Sequence, residues 1–304
     1  IGSEIAKQVA YFGPELIILC DIAESPLHNI GLELEEHFKE VPCKLYIANI
    51  TDARRMEYIF KNFAPQVVFH AAAYKHVPMM EEHPQEAILN NVAGTKIIAD
   101  LSVKFNAERF VMVSTDKAVN PTNIMGASKR IAEMYIQGLY QNTIKTATIN
   151  SDHKTNRTVF ITTRFGNVLA SNGSVIPRFK EQLAKGGPIT VTHPDITRFF
   201  MTIAEACQLV LEAGVMGKGG EVFVFDMGKS IRITDLAHNM IILAGLKPGE
   251  DIAIHYTGLR PGEKLYEELL NNEEITVPTY HPKIKIARVQ SVDFTYISNA
   301  LQNL

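Results

Sequence analysis

The sequence predicts an α/β fold: a doubly wound parallel sheet followed by a smaller C-terminal α/β lobe. Short apolar, β-branched runs alternate with helical periodicities up to about residue 165, the pattern of βαβ units. The runs end in polar or acidic residues, as strands do when their carboxyl ends open onto a ligand crevice. Beyond residue 165 the texture changes to shorter elements punctuated by Gly173, Pro177, Gly186-Gly187-Pro188, Pro194 and Pro261-Gly262.

Helical periodicity begins at once through Ile5, Val9 and Phe12. A helix with no strand before it suggests that a strand and a glycine turn precede it in a longer parent. Strands are expected at 16–21, 44–47, 66–70, 109–113 and 159–164, and helices at 52–63, 84–105 and 124–140. The stretch 141–157 is polar and lacks periodicity, which predicts a solvated loop. In the second lobe, 203–213 and 233–243 have helical spacing and 221–225 reads as a strand. The expected division is 1–165 and 166–304, with the two parts interleaved.

Composition narrows the function. At 304 residues and 46% apolar content the chain can bury a large core. A formal charge of -3 and a pI near 6.4 argue against a nucleic-acid partner, which needs a clustered basic excess. Cys20, Cys43 and Cys207 form no CxxC pair and suit free thiols in a reducing compartment. The ten histidines show no HExxH or similar spacing, so no metal is expected. No apolar run approaches the roughly 18 residues that span a bilayer, so this fragment is not expected to cross a membrane.

Two stretches carry candidate chemistry. Asp21 lies 19 positions after Gly2, near the spacing at which a dinucleotide fold sets a carboxylate on the adenosine ribose hydroxyls. A plain turn aspartate is the alternative, and the surrounding βα units favour ribose binding. A carboxylate there repels a 2′-phosphate, which favours NAD over NADP. The second stretch, Ser114-Thr115-Asp116-Lys117-Ala118-Val119-Asn120-Pro121, should emerge at the carboxyl end of the strand 109–113. It sets a hydroxyl, a carboxylate and an ammonium side by side, with Lys129 expected on the outward face of the next helix. On residue types alone Asp116-Lys117 reads as a surface ion pair in a turn.

With Met125-x-x-x-Lys129, this stretch resembles the nucleotide-sugar 4,6-dehydratases of polysaccharide biosynthesis, in the extended short-chain dehydrogenase/reductase superfamily. His70-Ala71-Ala72-Ala73-Tyr74-Lys75-His76-Val77-Pro78, Asn91-Val92-Ala93-Gly94-Thr95, Arg164-Phe165-Gly166-Asn167-Val168 and Leu259-Arg260-Pro261-Gly262-Glu263-Lys264 resemble the family's other signatures, in the same order. The resemblance implies an extended Rossmann fold, NAD as cofactor and a UDP-sugar substrate. The nearest branch acts on UDP-N-acetylglucosamine in capsule and O-antigen pathways. Its members often carry a membrane region ahead of this domain, so the resemblance implies a cytoplasmic domain whose parent can be membrane-anchored. Gly2 would be the last glycine of a GxxGxxG turn.

Removing water across C5 and C6 of a hexose requires prior oxidation at C4, because the C5 proton is otherwise not acidic. The resemblance implies Asp116 as the acid at C6 and Lys117 as the base at C5. A lysine base must be neutral, so a lowered pKa is expected, with Lys129 helping as a like charge. Lys129 resembles the lysine of Tyr-x-x-x-Lys, which bonds the nicotinamide ribose. Met125 occupies the tyrosine position and takes no proton, which leaves Thr115, Asp116 or a water for the C4 hydroxyl. Met125 also reads as a gap-filling core residue.

Softer assignments follow from the same resemblance. Ala71, Ala72 and Ala73 permit close approach of the cofactor, Asn49-Ile50 resembles the pair that meets the adenine, and Ser114 is expected beside the cofactor. Asn91 is expected to brace the loop around Ser114, while Lys75 and His76 face cofactor ribose or substrate. Asn167, Arg178, Arg198, Arg260 and Glu263 resemble the residues that grip the UDP, the arginine fork matching phosphate oxygens. Relatives pair through helices like 84–105 and 124–140, which implies a homo-oligomer with a four-helix interface. Two other readings stay open: a nucleotide-sugar 4-epimerase, and a non-catalytic NAD-binding module motivated by Met125.

Overall fold

Side chains alternate across a strand, and along Arg109–Val113 this alternation feeds two cores. Phe110 and Met112 join a cluster with Phe160, Ile98, Tyr135 and Leu139. Val111 joins the opposite cluster with Ile161, Phe223, Val210 and Ala213. A strand buried on both faces must sit inside a sheet with helices on either side. The computed structural model describes residues 1–149, 157–171, 173–270, 275–290 and 292–304.

The chain runs α1 (Gly2–Ala10), β1 (Ile17–Asp21), α2 (Glu24–His37), β2 (Cys43–Ile47), α3 (Ala53–Phe63), β3 (Val67–His70), α4 (Val77–Glu82) and α5 (Pro84–Ala87). A π-helical stretch Ile88–Gly94 leads into α6 (Thr95–Lys104), then β4 (Arg109–Val113), α7 (Ile124–Ile149) and β5 (Val159–Arg164). After β6 (Asn167–Val168) come α8 (Val175–Ala184), β7 (Ile189–Val191), β8 (Thr197–Arg198), β9 (Phe200–Met201), α9 (Ile203–Met216) and β10 (Glu221–Phe225). The remainder is β11 (Ile231–Arg232), α10 (Ile233–Leu243), β12 (Ile254–Tyr256), β13 (Ile275–Pro278), β14 (Ile284–Arg288) and α11 (Phe294–Gln302).

The six-stranded sheet has the order β13-β14-β10-β5-β4-β3. Its pairings from β3 to β10 are parallel, whereas β14 and β13 are antiparallel, so the expected parallel sheet is completed by an antiparallel edge. Strands β1 and β2 form a separate parallel pair; among the described residues no strand joins them to the larger sheet. Three strands from beyond residue 165 thus share the sheet of the first part. The second lobe also has its own core, built from Phe179, Ile189, Val191, Ile233, Ala237 and Ile241.

Several sequence expectations are corrected. The helix expected at 84–105 is interrupted by the π-helical stretch, where buried Asn91 takes side-chain partners outside the helix; such wide turns concentrate at functional positions. The predicted loop 141–157 is helical as far as Ile149, because the Thr143 and Thr146 hydroxyls donate back to the Tyr140 and Asn142 carbonyls and so satisfy themselves within a helix. Residues 150–156 of that expectation lie outside the described residues. The helix at the start ends by Ala10, and Phe12 is exposed. Helix α11 lies against α7, where Gly138 lets the Phe294 backbone approach and Tyr135 packs on Phe294.

A buried polar layer fixes α7 on the sheet. Arg164 donates to both carboxylate oxygens of Glu133, at 2.9 and 2.7 Å, and the Ser114 hydroxyl donates to Glu133 at 2.6 Å. Glu133 and Arg164 are fully buried. Burial alone would raise the Glu133 carboxyl, but Arg164 and Ser114 hold it below the ordinary range. Lys129, expected on the outward face, is instead buried, its ammonium donating to the Val113 carbonyl at 2.8 Å; the first turns of α7 lie over the end of β4, so the inward face includes this position. Burial presses Lys129 down to about 8 against the opposing effect of Glu133. His70, buried and facing Thr95 at 2.8 Å, is pushed by burial and by Lys129 down to about 3 and stays neutral.

Two predictions follow from this layer. Arg164→Met leaves a buried carboxylate without its main partner and should cost about 3 kcal/mol or more in urea unfolding; a cost below about 1 kcal/mol would show the pair to be dispensable. An unfolded lysine holds its proton to about pH 10.4, so from about pH 8 upward the unfolded chain binds more protons than the folded one, and stability should rise with pH. Unfolding free energies of wild type and Lys129→Met should therefore converge or cross in that window, and a pH-independent difference would contradict a charge-burying Lys129.

Candidate active site

Strand β4 ends at Val113, and the chain turns through a single 3₁₀ turn, Asp116–Ala118. Thr115 caps this turn by accepting from the Lys117 N–H, and the Asp116 N–H donates to the Phe165 carbonyl at 3.1 Å. Gly126, at the start of α7, lets the helix approach the turn: a Cβ there would stand 2.2 Å from the Lys117 carbonyl oxygen. Its N–H is capped by the Asn123 side chain at 2.7 Å.

The turn holds a cluster of charges. Asp116 is fully buried. Its Oδ1 accepts from the Thr115 hydroxyl at 2.8 Å and from Lys117 Nζ at 3.1 Å, while Oδ2 is buried without a hydrogen-bond partner among the described residues. Lys117 also donates to Asn167 Oδ1 at 3.1 Å and faces Glu267 Oε1 at 3.4 Å. Gly166 packs on this carboxylate: a Cβ there would stand 3.1 Å from Asp116 Oδ2, closer than ordinary van der Waals contact.

The Leu259 to Lys264 stretch docks against the same loop. The Asn123 side chain donates to the Gly262 carbonyl at 3.0 Å, and Lys264 Nζ donates to the Val119 carbonyl at 3.0 Å. Gly262 is required twice over: its φ is +72°, and a Cβ would lie 2.6 Å from the Asn123 side chain. The docked stretch sets Glu263 between two arginines, Arg260 at 3.2 Å and Arg198 at 3.4 Å, with the Thr192 hydroxyl donating to it at 3.2 Å. Arg198 also lies 3.7 Å from Glu267. Burial would raise the Glu263 carboxyl, but Arg260 and Arg198 hold it low. Glu263, expected to grip a UDP directly, is here the anion that gathers the arginines.

The structure thus brings Thr115, Asp116, Lys117, Asn167, Arg198, Arg260 and Glu263 together. His76 packs over Gly173, and burial, Lys75 and Arg260 lower its pKa; Lys75, lowered by burial, reaches Ser171 at 3.4 Å. Gly2, Asp21, Asn49 and Ile50 stand at the start of α1, the end of β1 and just past β2. The Asp21 carboxylate accepts from the Ala23 N–H at 2.8 Å, Asn49 accepts from the Thr51 N–H at 2.9 Å, and Ile50 packs where a Gly94 Cβ would be. Ala71, Ala72 and Ala73 follow the end of β3 and are at least partly exposed. Arg178 is exposed on α8.

Two expectations change, those for Lys117 and Asn91, and the surroundings of Ser114 and Met125 are defined. Lys117 is not lowered: burial pushes it down, but Asp116 and Glu267 outweigh that and raise its pKa, and the nearby like charge is Arg198 rather than Lys129. Asn91 braces Tyr74 and Ser128, through bonds of 2.8 to 3.0 Å, rather than the loop at Ser114. The Ser114 hydroxyl is committed to Glu133. Met125 is buried in a small apolar cluster with Met80 and Ala87, a packing position. Glu267 and Gly126 were not singled out from sequence; the only hint for Glu267 was its place just beyond the Arg260 to Lys264 stretch.

Among the described residues no group of three or more His, Cys, Asp or Glu side chains is placed to hold a metal ion, and no helix is long and apolar enough to cross a membrane.

The capsular polysaccharide biosynthesis protein CapD of Staphylococcus aureus is 48% identical over the whole of this chain, which spans 49% of CapD. The chain therefore spans about half the length of this curated relative. The solved structure of Pen from Bacillus thuringiensis is 29% identical, with a TM-score of 0.81 and coverage of 100% of this chain and 95% of that one. DesIV, a dTDP-glucose 4,6-dehydratase from Streptomyces venezuelae, is 19% identical and shares the fold, with a TM-score of 0.71 over 88% of this chain and 84% of its own. The fold is thus the Rossmann-type α/β fold that these two structures share. A model of the polysaccharide biosynthesis protein family matches residues 1–289, and the chain belongs to that family.

Proposed function

We propose that this domain removes water from UDP-N-acetylglucosamine across C5 and C6, with NAD as resident cofactor, to give a 4-keto-6-deoxy sugar nucleotide. The observation that carries the reading is the buried Asp116 carboxylate, bonded to Lys117 at 3.1 Å with its second oxygen unpartnered. A structural ion pair would satisfy both oxygens or stay at the surface. The family match and the similarity to CapD support a role in surface polysaccharide formation.

The residues suit the cofactor. The partly open backbone at Ala71 to Ala73 and the Asp21 carboxylate lie at the ends of β3 and β1, where such sheets hold dinucleotides. Among the described residues Lys129 donates one hydrogen bond, to Val113, and its other N–H groups would hold the nicotinamide ribose. A carboxylate at Asp21 favours NAD over NADP. NAD⁺, when bound, would supply the reversible hydride acceptor for C4, and the 4-keto group so formed would make the C5 proton removable.

The chain's own residues then act as an acid and base pair. In the free protein Asp116 and Lys117 form an ion pair. A proton shift along their 3.1 Å bond yields a neutral amine and a neutral carboxylic acid. Lys117 takes the C5 proton, and Asp116 gives its proton to the departing C6 hydroxyl, which leaves as water and restores the ion pair. Thr115, bonded to Asp116 at 2.8 Å, is the hydroxyl left to meet the C4 hydroxyl, since Met125 is buried. Arg198 and Arg260 would receive the diphosphate in place of Glu263.

Mass spectrometry of the purified domain with UDP-N-acetylglucosamine should detect loss of one water. Lys117→Met and Asp116→Asn should each lower kcat by about 10² to 10⁴-fold while leaving the bound NAD content unchanged. Full activity in either variant refutes the roles, and a C4 epimer without water loss would make the domain a 4-epimerase.

A further inference from the structure

We propose that Glu267 is a positioning residue for Lys117, holding the ammonium between two carboxylates and tying it to the arginine pair. This rests on the reading of Asp116 and Lys117 given above. Lys117 donates hydrogen bonds to Asp116 Oδ1 and Asn167 Oδ1, each at 3.1 Å, and forms a second ion pair with Glu267 Oε1 at 3.4 Å. Without Glu267 the ammonium loses one of its two carboxylate partners.

Glu267 is an improbable packing residue. Its side chain is 3% exposed, and its Oε2 is buried without a hydrogen-bond partner among the described residues. Leaving a buried carboxylate oxygen unpaired is costly, and an apolar residue would fill the same space without that cost. The carboxylate is instead held in a row of alternating charge: Arg260, Glu263, Arg198, Glu267, Lys117, Asp116, with neighbours 3.1 to 3.7 Å apart. The groups facing Lys117 are thus Asp116 from its own turn, Glu267 from the stretch after Lys264, Asn167 from β6 and, one step behind, Arg198 from β8. Among the described residues Glu267 is the one of them that pairs with both the lysine and an arginine of the expected nucleotide site. Two carboxylates around one ammonium raise its affinity for a proton, as found for Lys117.

Glu267→Gln keeps an oxygen on the lysine and removes only the charge. The direct test is the pH dependence of trace acetylation of Lys117 by acetic anhydride, read on the modified peptide by mass spectrometry. In the wild type the midpoint should lie above that of surface lysines. In Glu267→Gln it should fall, so that at about pH 9 Lys117 is acetylated about tenfold faster, one pKa unit's worth; Glu267→Asp, which keeps the charge, should stay within about threefold of wild type. Where turnover is measurable, the basic limb of kcat/KM, at which the Asp116–Lys117 pair loses its shared proton, should move to lower pH in Glu267→Gln. An unchanged midpoint in Glu267→Gln overturns the proposal. If that variant does not fold, a wild-type midpoint at or below the surface value overturns it, and an elevated one with a near-wild-type Glu267→Asp upholds it. Absence of turnover in the wild type would overturn the proposed reaction and leave the acetylation result standing, so the two failures are distinguishable.

Discussion

The contact between Lys117 and the buried Asp116 carboxylate is the constraint on which the rest of the site depends. A fully buried acid is tolerable only beside a cation and hydrogen-bond donors, and each surrounding element supplies one part of that support. The Thr115 hydroxyl and Lys117 ammonium bond one oxygen, the Phe165 carbonyl fixes the backbone, and Gly126 and Gly166 keep the space around the turn small. The end of β4, the start of α7 and the segment after β5 must meet at one point for any of this to hold.

The two lysines of the site illustrate how burial and charge compete. Lys117 and Lys129 both leave water, yet their proton affinities move in opposite directions. Lys129 has a single carboxylate influence, Glu133, already engaged by Arg164, so desolvation wins and its pKa falls to about 8. Lys117 has Asp116 and Glu267 against it, and their attraction outweighs desolvation. A neutral Lys117 therefore comes from a proton shift to its neighbour rather than from the surroundings alone. His70 meets no such opposition: burial and the Lys129 charge both lower its pKa and keep it uncharged.

The second lobe serves the first through a small number of glycines and backbone bonds. Gly262 lets the Arg260 to Lys264 stretch lie against Asn123, and Lys264 ties it to Val119. That docking delivers Glu263, Arg198 and Glu267 to the end of β4, although β8 and the stretch after Lys264 are far from Lys117 in sequence. Because β10, β13 and β14 complete the central sheet, the lobe is anchored at the strand ends rather than hung from a linker.

Sequence alone determined the elements whose chemistry is local. Strands near 17–21, 67–70, 109–113, 159–164 and 221–225 were legible from runs of apolar residues, and the Thr115-Asp116-Lys117 cluster was legible because side chains at a strand's carboxyl end are neighbours whatever the rest of the fold does. Tertiary structure decided everything that depends on what lies opposite. It turned Lys129 inward, extended α7 through polar residues, opened a π-helical stretch around Asn91, and brought Glu267 to Lys117 across 150 positions of chain. A residue's own type sets its charge and reach, but its proton affinity and partners come from burial and from groups distant in sequence, and those exist only once the chain has folded.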